Sequence, residues 1–228
     1  MVQHFPVSIT ALRTLPIFDS LSDERLAPIA KAAVLRSVPR GAVVLRAGDE
    51  TDEHSDSVYL VLVGSLKVLI SDEQGREAIL SMLGVGELFG EMGVIDDHPR
   101  SASVVAVESS ELVVIAKNDF KRCLAENVDV SLFIMRSLSR RLRRADRNIE
   151  SLALMDVYGR VARTLLDMAE SENGQSVVRR KISKQDIAKM IGASREMVSR
   201  VMRDLQDRGL ITEIGSIIQL HNLSEINS

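Results

Sequence analysis

Between Val43 and Ile115 the apolar positions fall into short runs: Val43 to Leu45, Val58 to Val63, Leu66 to Ile70, Ala78 to Leu83, Ser101 to Val107 and Leu112 to Ile115. Polar stretches rich in Gly, Asp and Ser separate them, among them AGDETDEHSDS, SDEQGRE and GVGE. Runs of this length and composition read as strands joined by turns, and their regular spacing favours an antiparallel barrel or jelly roll over a helix-crossover sheet. Ahead of them the pattern predicts an amphipathic helix over Ser22 to Leu35, stopped before Pro39, Arg40 and Gly41. From Asp119 onward the period is helical. Met135, Leu138, Leu142, Ala145, Ile149 and Leu152 recur at spacings of 3, 4, 3, 4 and 3, a coiled-coil seam. Arg140, Arg141, Arg143, Arg144 and Arg147 crowd its flanks, so the stripe is narrow. A narrow, charge-flanked stripe predicts a helix that pairs with a second copy; the alternative is an intramolecular packing helix with a solvated basic face.

The segment KISKQDIAKMIGASREMVSRVMRDLQDRGLI repeats the helical period twice around a break at Gly192 and Ala193. Ser183 opens the first helix and Ser194 the second, each a preferred N-cap residue. Ile187, Ala188, Ile191, Val198, Val201, Met202 and Leu205 fit two helices crossing over a common core, which is helix-turn-helix spacing. When the second helix of such a pair enters a major groove, its first turns reach base edges; Arg bonds guanine O6 and N7, and Glu accepts from cytosine N4. Arg195, Glu196 and Arg200 are therefore candidate readers, and Ser183, Ser194 and Ser199, with Lys184, suit phosphate contacts. After Gly209, LITEIGSIIQL predicts a strand, a turn at Gly215 and a second strand, a wing. A helical scaffold with a solvated charged face is the competing reading.

Composition narrows the function classes. With 228 residues, 45% hydrophobic and 27% charged, the chain can bury one large or two smaller cores. Its longest apolar runs are far shorter than the roughly 20 residues of a spanning helix, and MVQHFPVSIT has no secretory pattern; a cytoplasmic protein with no membrane partner is expected. Cys123 is the single cysteine, which leaves no disulfide framework, cysteine-rich zinc site or iron–sulfur cluster to build, and the four histidines lack ligand spacing. Cys123 is expected to be a buried small apolar residue rather than a redox switch. The net charge of −3 hides local asymmetry: Arg136 to Arg147 carries six arginines against one aspartate. No Walker motif, Ser-His-Asp set or metal cluster accompanies any glycine-rich stretch, so no enzyme is expected.

One stretch stays ambiguous on these grounds. GELFGEMGVIDDHPRSAS, Gly86 to Ser103, holds three glycines, a buried-looking Phe89 and Arg100. It either shapes a turn or holds an anion.

The order β-domain, long helix, winged helix-turn-helix resembles the Crp/Fnr family of bacterial transcription regulators, over about Leu15 to Leu220. FGEMGVIDDHPRSAS is similar to the family's phosphate-binding cassette, LALMDVYGRVARTLLDMA to its dimer-helix exit and hinge, and ASREMVSRVMRDL to its recognition helix. The resemblance implies an α+β fold. It comprises a cyclic-nucleotide-binding-type β jelly roll at residues 15–128, a dimerisation helix at 129–156 and a winged helix-turn-helix at 157–228. It further implies a homodimer that reads a palindrome of TGTGA-like half-sites through Arg195, Glu196 and Arg200, with RNA polymerase as a partner near the loop AESENGQSVVRR.

In the cassette, Gly90, Glu91 and Met92 would form a turn with converging backbone N–H groups, Arg100 would bond the phosphate, Ser101 would add a hydroxyl, and Glu91 would accept a ribose hydroxyl. The family's cyclic-AMP branch reads adenine with a Thr-Ser pair on the dimer helix. Here Ala145 and Asp146 hold those positions. Alanine bonds nothing, and aspartate accepts only, which suits guanine N1 and N2. With Arg143, Asp146 forms an R-x-x-D spacing like one used for cyclic di-GMP, a spacing that also fits a solvated basic helix. The effector is left between cyclic AMP and cyclic di-GMP; a constitutive or differently sensing regulator with a degenerate pocket is the alternative.

Overall fold

The computed structural model describes residues 5–50, 56–172, 174–179, 182–215 and 217–221. The chain divides into two compact units, Met1–Arg140 and Arg141–Ser228.

The first unit is built on two antiparallel sheets. Its strands are β1 (Phe5–Pro6), β2 (Val34–Val38), β3 (Val43–Leu45), β4 (Ser57–Val63), β5 (Leu66–Ser71), β6 (Glu77–Leu83), β7 (Leu88–Phe89), β8 (Ser103–Ala106) and β9 (Ser110–Ala116). One sheet runs β1-β2-β9-β4-β7, the other β3-β8-β5-β6. Helices α1 (Ile9–Arg13), α2 (Asp23–Ala32), α3 (Glu91–Asp96) and α4 (Lys117–Glu126) surround them, and α5 (Val128–Leu154) begins here.

The unbroken apolar run of β4 has a physical reason. Successive strand residues point to opposite faces, and both faces of β4 are covered. Tyr59 and Val61 join Leu66, Leu83, Phe89, Val104 and Leu112 between the sheets. Val58 and Leu60 join Phe18, Leu26, Phe120, Val130 and Ile134 under the helices.

The helix expected over Ser22 to Leu35 ends at Ala32. Ala33 is extended, and Val34–Val38 pairs residue for residue with Ser110–Val114 of β9. Five ladder pairs and the burial of Val38 outweigh the local helical pattern.

The second unit holds the rest of α5, then α6 (Val157–Met168), β10 (Glu170–Glu172), β11 (Gln175–Val178), α7 (Lys184–Ile191), α8 (Arg195–Asp207), β12 (Ile211–Ile214) and β13 (Ile217–Leu220). Its core joins Val161, Ala162 and Leu165 of α6 to Ile187, Ala188 and Ile191 of α7, to Val198, Met202 and Leu205 of α8, and to Val178, Ile211, Ile218 and Leu220 of the sheet. The stretch AESENGQSVVRR, expected as a loop, forms β10 and β11, and β11 pairs with β13, giving the sheet order β10-β11-β13-β12. Val177 and Val178 are buried, and that burial turns a polar-looking segment into a strand. Asn173, Arg180 and Lys181 lie outside the described residues. No helix among the described residues is long and apolar enough to cross a membrane.

Candidate functional site

Two groups of residues carry the chemistry, one in each unit. In the first, β7 pairs with β4 at Tyr59↔Phe89, and the two rings stack with centroids 5.1 Å apart. That contact fixes the chain just ahead of Gly90, which caps α3 in the left-handed region at φ 81°. A Cβ at this position would stand 3.0 Å from Arg100 Nη1, 3.2 Å from Ser57 O and 3.3 Å from Leu45 Cδ1. Glycine is there because backbone and arginine approach too closely for anything larger.

Arg100 is 8% exposed and Glu91 2%. Arg100 Nη1 donates to Gly90 O at 2.5 Å, and Nη2 donates to Ser57 O at 2.9 Å and to Asp56 Oδ1. The structure thus brings Gly90, Glu91 and Arg100 together around one buried guanidinium. Met92 and Ser101 are exposed at its margin.

Charge continues beyond Arg100. Lys117 Nζ lies 3.6 Å from Asp56 Oδ2 and 2.8 Å from Asp97 Oδ1, and Lys121 Nζ is 3.1 Å from the same Asp97 oxygen. The bonds from Lys117 and then Lys121 hold the Asp97 carboxyl below the usual carboxylate range; the Asp97 bond in turn raises Lys117.

Sequence reasoning missed Asp56, Lys117 and Asp97. Asp56 and Lys117 flank apolar runs, where charges read as turn residues. They meet because Ser57 pairs with Ala116 in the β4/β9 ladder, and the Lys117 N–H bonds Asp56 O at 3.0 Å. That register is the one signal that identifies them.

In the second unit the helix-turn-helix forms as its caps predict. Ser183 Oγ accepts from the Asp186 N–H at 3.0 Å and the Ser183 N–H donates to Asp186 Oδ2 at 3.4 Å, a closed capping box. Gly192 ends α7 in the left-handed region, and Ser194 Oγ accepts from the Met197 N–H at 3.2 Å to start α8. Both hydroxyls therefore serve as the N-caps expected of them. Val198, Met202 and Leu205 face the core. Arg195, Glu196 and Arg200 are exposed, and Ser199 is half-buried. Glu196's own backbone N–H, then the Ser194 hydroxyl and the adjacent Arg195 charge, keep its carboxyl below the usual range. It stays ionised and acceptor-only. Lys184 pairs with Glu213 of β12 at 3.4 Å.

On α5, Met135, Leu142, Ile149 and Leu152 are exposed at 55%, 65%, 66% and 51%. Leu138 differs from the expected seam: it is partly buried against the first unit's core. Ala145, Arg143 and Asp146 are exposed, in the part of α5 that falls in the second unit. Cys123 is buried among apolar residues, and that burial pushes its thiol up to about 11.

A buried arginine against a glycine-led turn in a two-sheet domain, carried in one chain with a winged helix-turn-helix, defines a cyclic-nucleotide-binding transcription regulator. Residues 35–127 match the model of the cyclic nucleotide-binding domain, and residues 159–227 match that of the Crp-like helix-turn-helix domain. The chain belongs to the Crp/Fnr family of regulators. It is 34% identical over 191 residues to the cAMP-activated global transcriptional regulator CRP of Pasteurella multocida, covering 82% of this chain and 90% of that one. It is 31% identical over 199 residues to the CRP-like cAMP-activated global transcriptional regulator of Mycobacterium tuberculosis, covering 86% and 87%. Among solved structures it is similar to the c-di-GMP responsive global regulator CLP of Xanthomonas campestris. There the TM-score is 0.70 at 28% identity, over 88% of this chain and all of that one. These relatives are transcription regulators, not enzymes.

Proposed function

We propose that the protein is a dimeric, sequence-specific regulator whose affinity for a palindromic DNA site is set by a cyclic nucleotide, with cyclic di-GMP as the effector. In this reading residues 15–128 hold the phosphate, 129–156 pair two copies and 157–228 read DNA. The observation that carries it is Arg100, a buried cation under a turn that only glycine fits. The residues present suit the group: a cyclic nucleotide supplies a phosphodiester anion, and Arg100 is the cation to meet it. Gly90, Glu91 and Met92 shape the turn, Ser101 adds a hydroxyl at the margin, and the buried Glu91 accepts a ribose hydroxyl. Arg143 and Asp146 favour guanine, since a carboxylate accepts from N1 and N2 and a guanidinium stacks on purines. Cyclic AMP is the second reading, favoured by the buried Glu91 and by the cAMP-activated relatives.

Pairing through Met135, Leu142, Ile149 and Leu152 would cover apolar side chains that are otherwise exposed. A two-fold dimer presents two α8 helices to half-sites one DNA turn apart, where Arg195, Glu196 and Arg200 read TGTGA-like bases and Ser183, Ser194 and Ser199 lie near phosphates. RNA polymerase is the further partner, met near the β10–β11 segment, and the protein works in the cytoplasm with the DNA. Asp156, whose side chain accepts from the Gly159 N–H at 2.8 Å to cap α6, marks the hinge between pairing helix and reader. The effector shifts a population only by binding the DNA-competent state more tightly.

Fluorescence anisotropy on a duplex with two TGTGA half-sites, titrated with and without cyclic di-GMP or cyclic AMP, tests this reading. One nucleotide should change DNA affinity by about 5- to 150-fold. No change with either refutes it.

A further inference from the structure

Arg100 does not present an open fork. A guanidinium has five N–H donors and meets an oxyanion two-pronged along its Nε/Nη2 edge or its Nη1/Nη2 edge. Both edges use Nη2, and both Nη2 hydrogens are taken, by Asp56 Oδ1 and Ser57 O. Gly90 O takes one hydrogen of Nη1. The two left without an acceptor among the described residues, on Nε and Nη1, lie on different edges and cannot grip a phosphate together.

We propose that Asp56 is an internal counter-anion that sets the effector affinity of this site, its carboxylate holding Arg100 Nη2 until the effector's phosphate takes that place. The inference rests on the effector reading above. Asp56 can yield because a second cation waits for it. Its Oδ2 makes no hydrogen bond among the described residues and lies 3.6 Å from Lys117 Nζ. The side chains of Asp56, Arg100 and Lys117 are 1%, 7% and 7% exposed, so the carboxylate is shared between two cations in a poorly screened interior. As Asp56 leaves Arg100 it closes on Lys117, and Lys117 loosens from Asp97. Asp97 is the residue that ends α3 with φ 58°, and Lys117 is the first residue of α4. The exchange therefore passes phosphate occupancy from the cassette to α4, inside the first unit. Lys117 also supports release: without it Asp56 has Arg100 as its one remaining cation among the described residues.

Opposite signs follow for two neighbouring variants. Isothermal titration calorimetry of the full chain, with cyclic di-GMP and separately with cyclic AMP, should find that Asp56→Asn binds about tenfold more tightly than wild type. Lys117→Gln should bind more weakly. Both variants should melt lower than wild type, so a purely structural role predicts weakening in both. Wild type that binds while Asp56→Asn binds no tighter overturns the proposal and leaves the effector reading standing. Binding by Asp56→Asn alone supports the proposal, and binding by neither protein overturns it along with the effector reading. If Asp56→Asn does not fold, Lys117→Gln decides: weaker binding supports the proposal, and equal or tighter binding overturns it.

Discussion

Alanine at Gly90 would perturb the cradle at its tightest point. Two effects add. A residue with a Cβ at φ 81° costs roughly 1 kcal/mol in backbone conformation. The new methyl would then meet Arg100 Nη1 at 3.0 Å, Ser57 O at 3.2 Å and Leu45 Cδ1 at 3.3 Å. Leu45 can give way. Ser57 O is strand backbone, and Arg100 is held by Asp56, Ser57 and Gly90, so that crowding adds about 1–2 kcal/mol. At about 3 °C per kcal/mol for a unit of this size, Gly90→Ala should lower the melting temperature by about 6–9 °C. Gly41 is the control. It has the same φ of 81° with nothing within 4 Å of a Cβ, so Gly41→Ala should lower it by about 3 °C. Scanning calorimetry of the full chain separates the two. Equal shifts would refute the claim that Arg100 and β4 crowd Gly90, whatever the absolute values.

Other expectations are read as directly. Arg195→Ala should reduce discrimination against a changed guanine in the half-site by about 1–3 kcal/mol, roughly 5- to 150-fold, in competition binding, with effector affinity unchanged; undiminished discrimination would remove Arg195 from the readers. Cys123, buried with its thiol pushed up to about 11, should resist iodoacetamide at pH 8 until the protein is unfolded, and rapid labelling of the native protein would contradict its burial. Asp97 has its folded-state pKa below the ordinary aspartate value of 3.8, so the stability it contributes is present above that value and is lost as pH falls through the lower folded one. Below pH 3.8 the wild type should therefore lose melting temperature more steeply than Asp97→Asn, and parallel profiles would show that Lys117 and Lys121 do not hold that carboxylate.

What the sequence made legible was whatever local chemistry decides. Ser183, Gly192 and Ser194 announce α7, its end and α8 because caps act within a turn of themselves. The cassette was readable by resemblance, and its glycine and arginine do meet. The strand Val34–Val38 was not legible, since its apolar positions also suit a helix and only pairing with β9 decides between them. The same holds for Asp56. Nothing near it in sequence tells that it faces Arg100, 44 residues on, or Lys117 across the ladder. β10 and β11 were hidden because their one buried pair, Val177 and Val178, sits in a polar stretch.

The strand shared between two cores has a consequence for how this domain can change. From Val58 to Val61 no side chain faces water, so no position there is free to accept a polar residue. Divergence in effector preference must therefore be written elsewhere, on strands such as β6, where Leu80 is 45% exposed, or on the cassette's own outer residues. β4 works as a fixed datum: it carries Ser57 O against Arg100 at one end and clamps Phe89 beside it, and the variable parts of the molecule are measured from it.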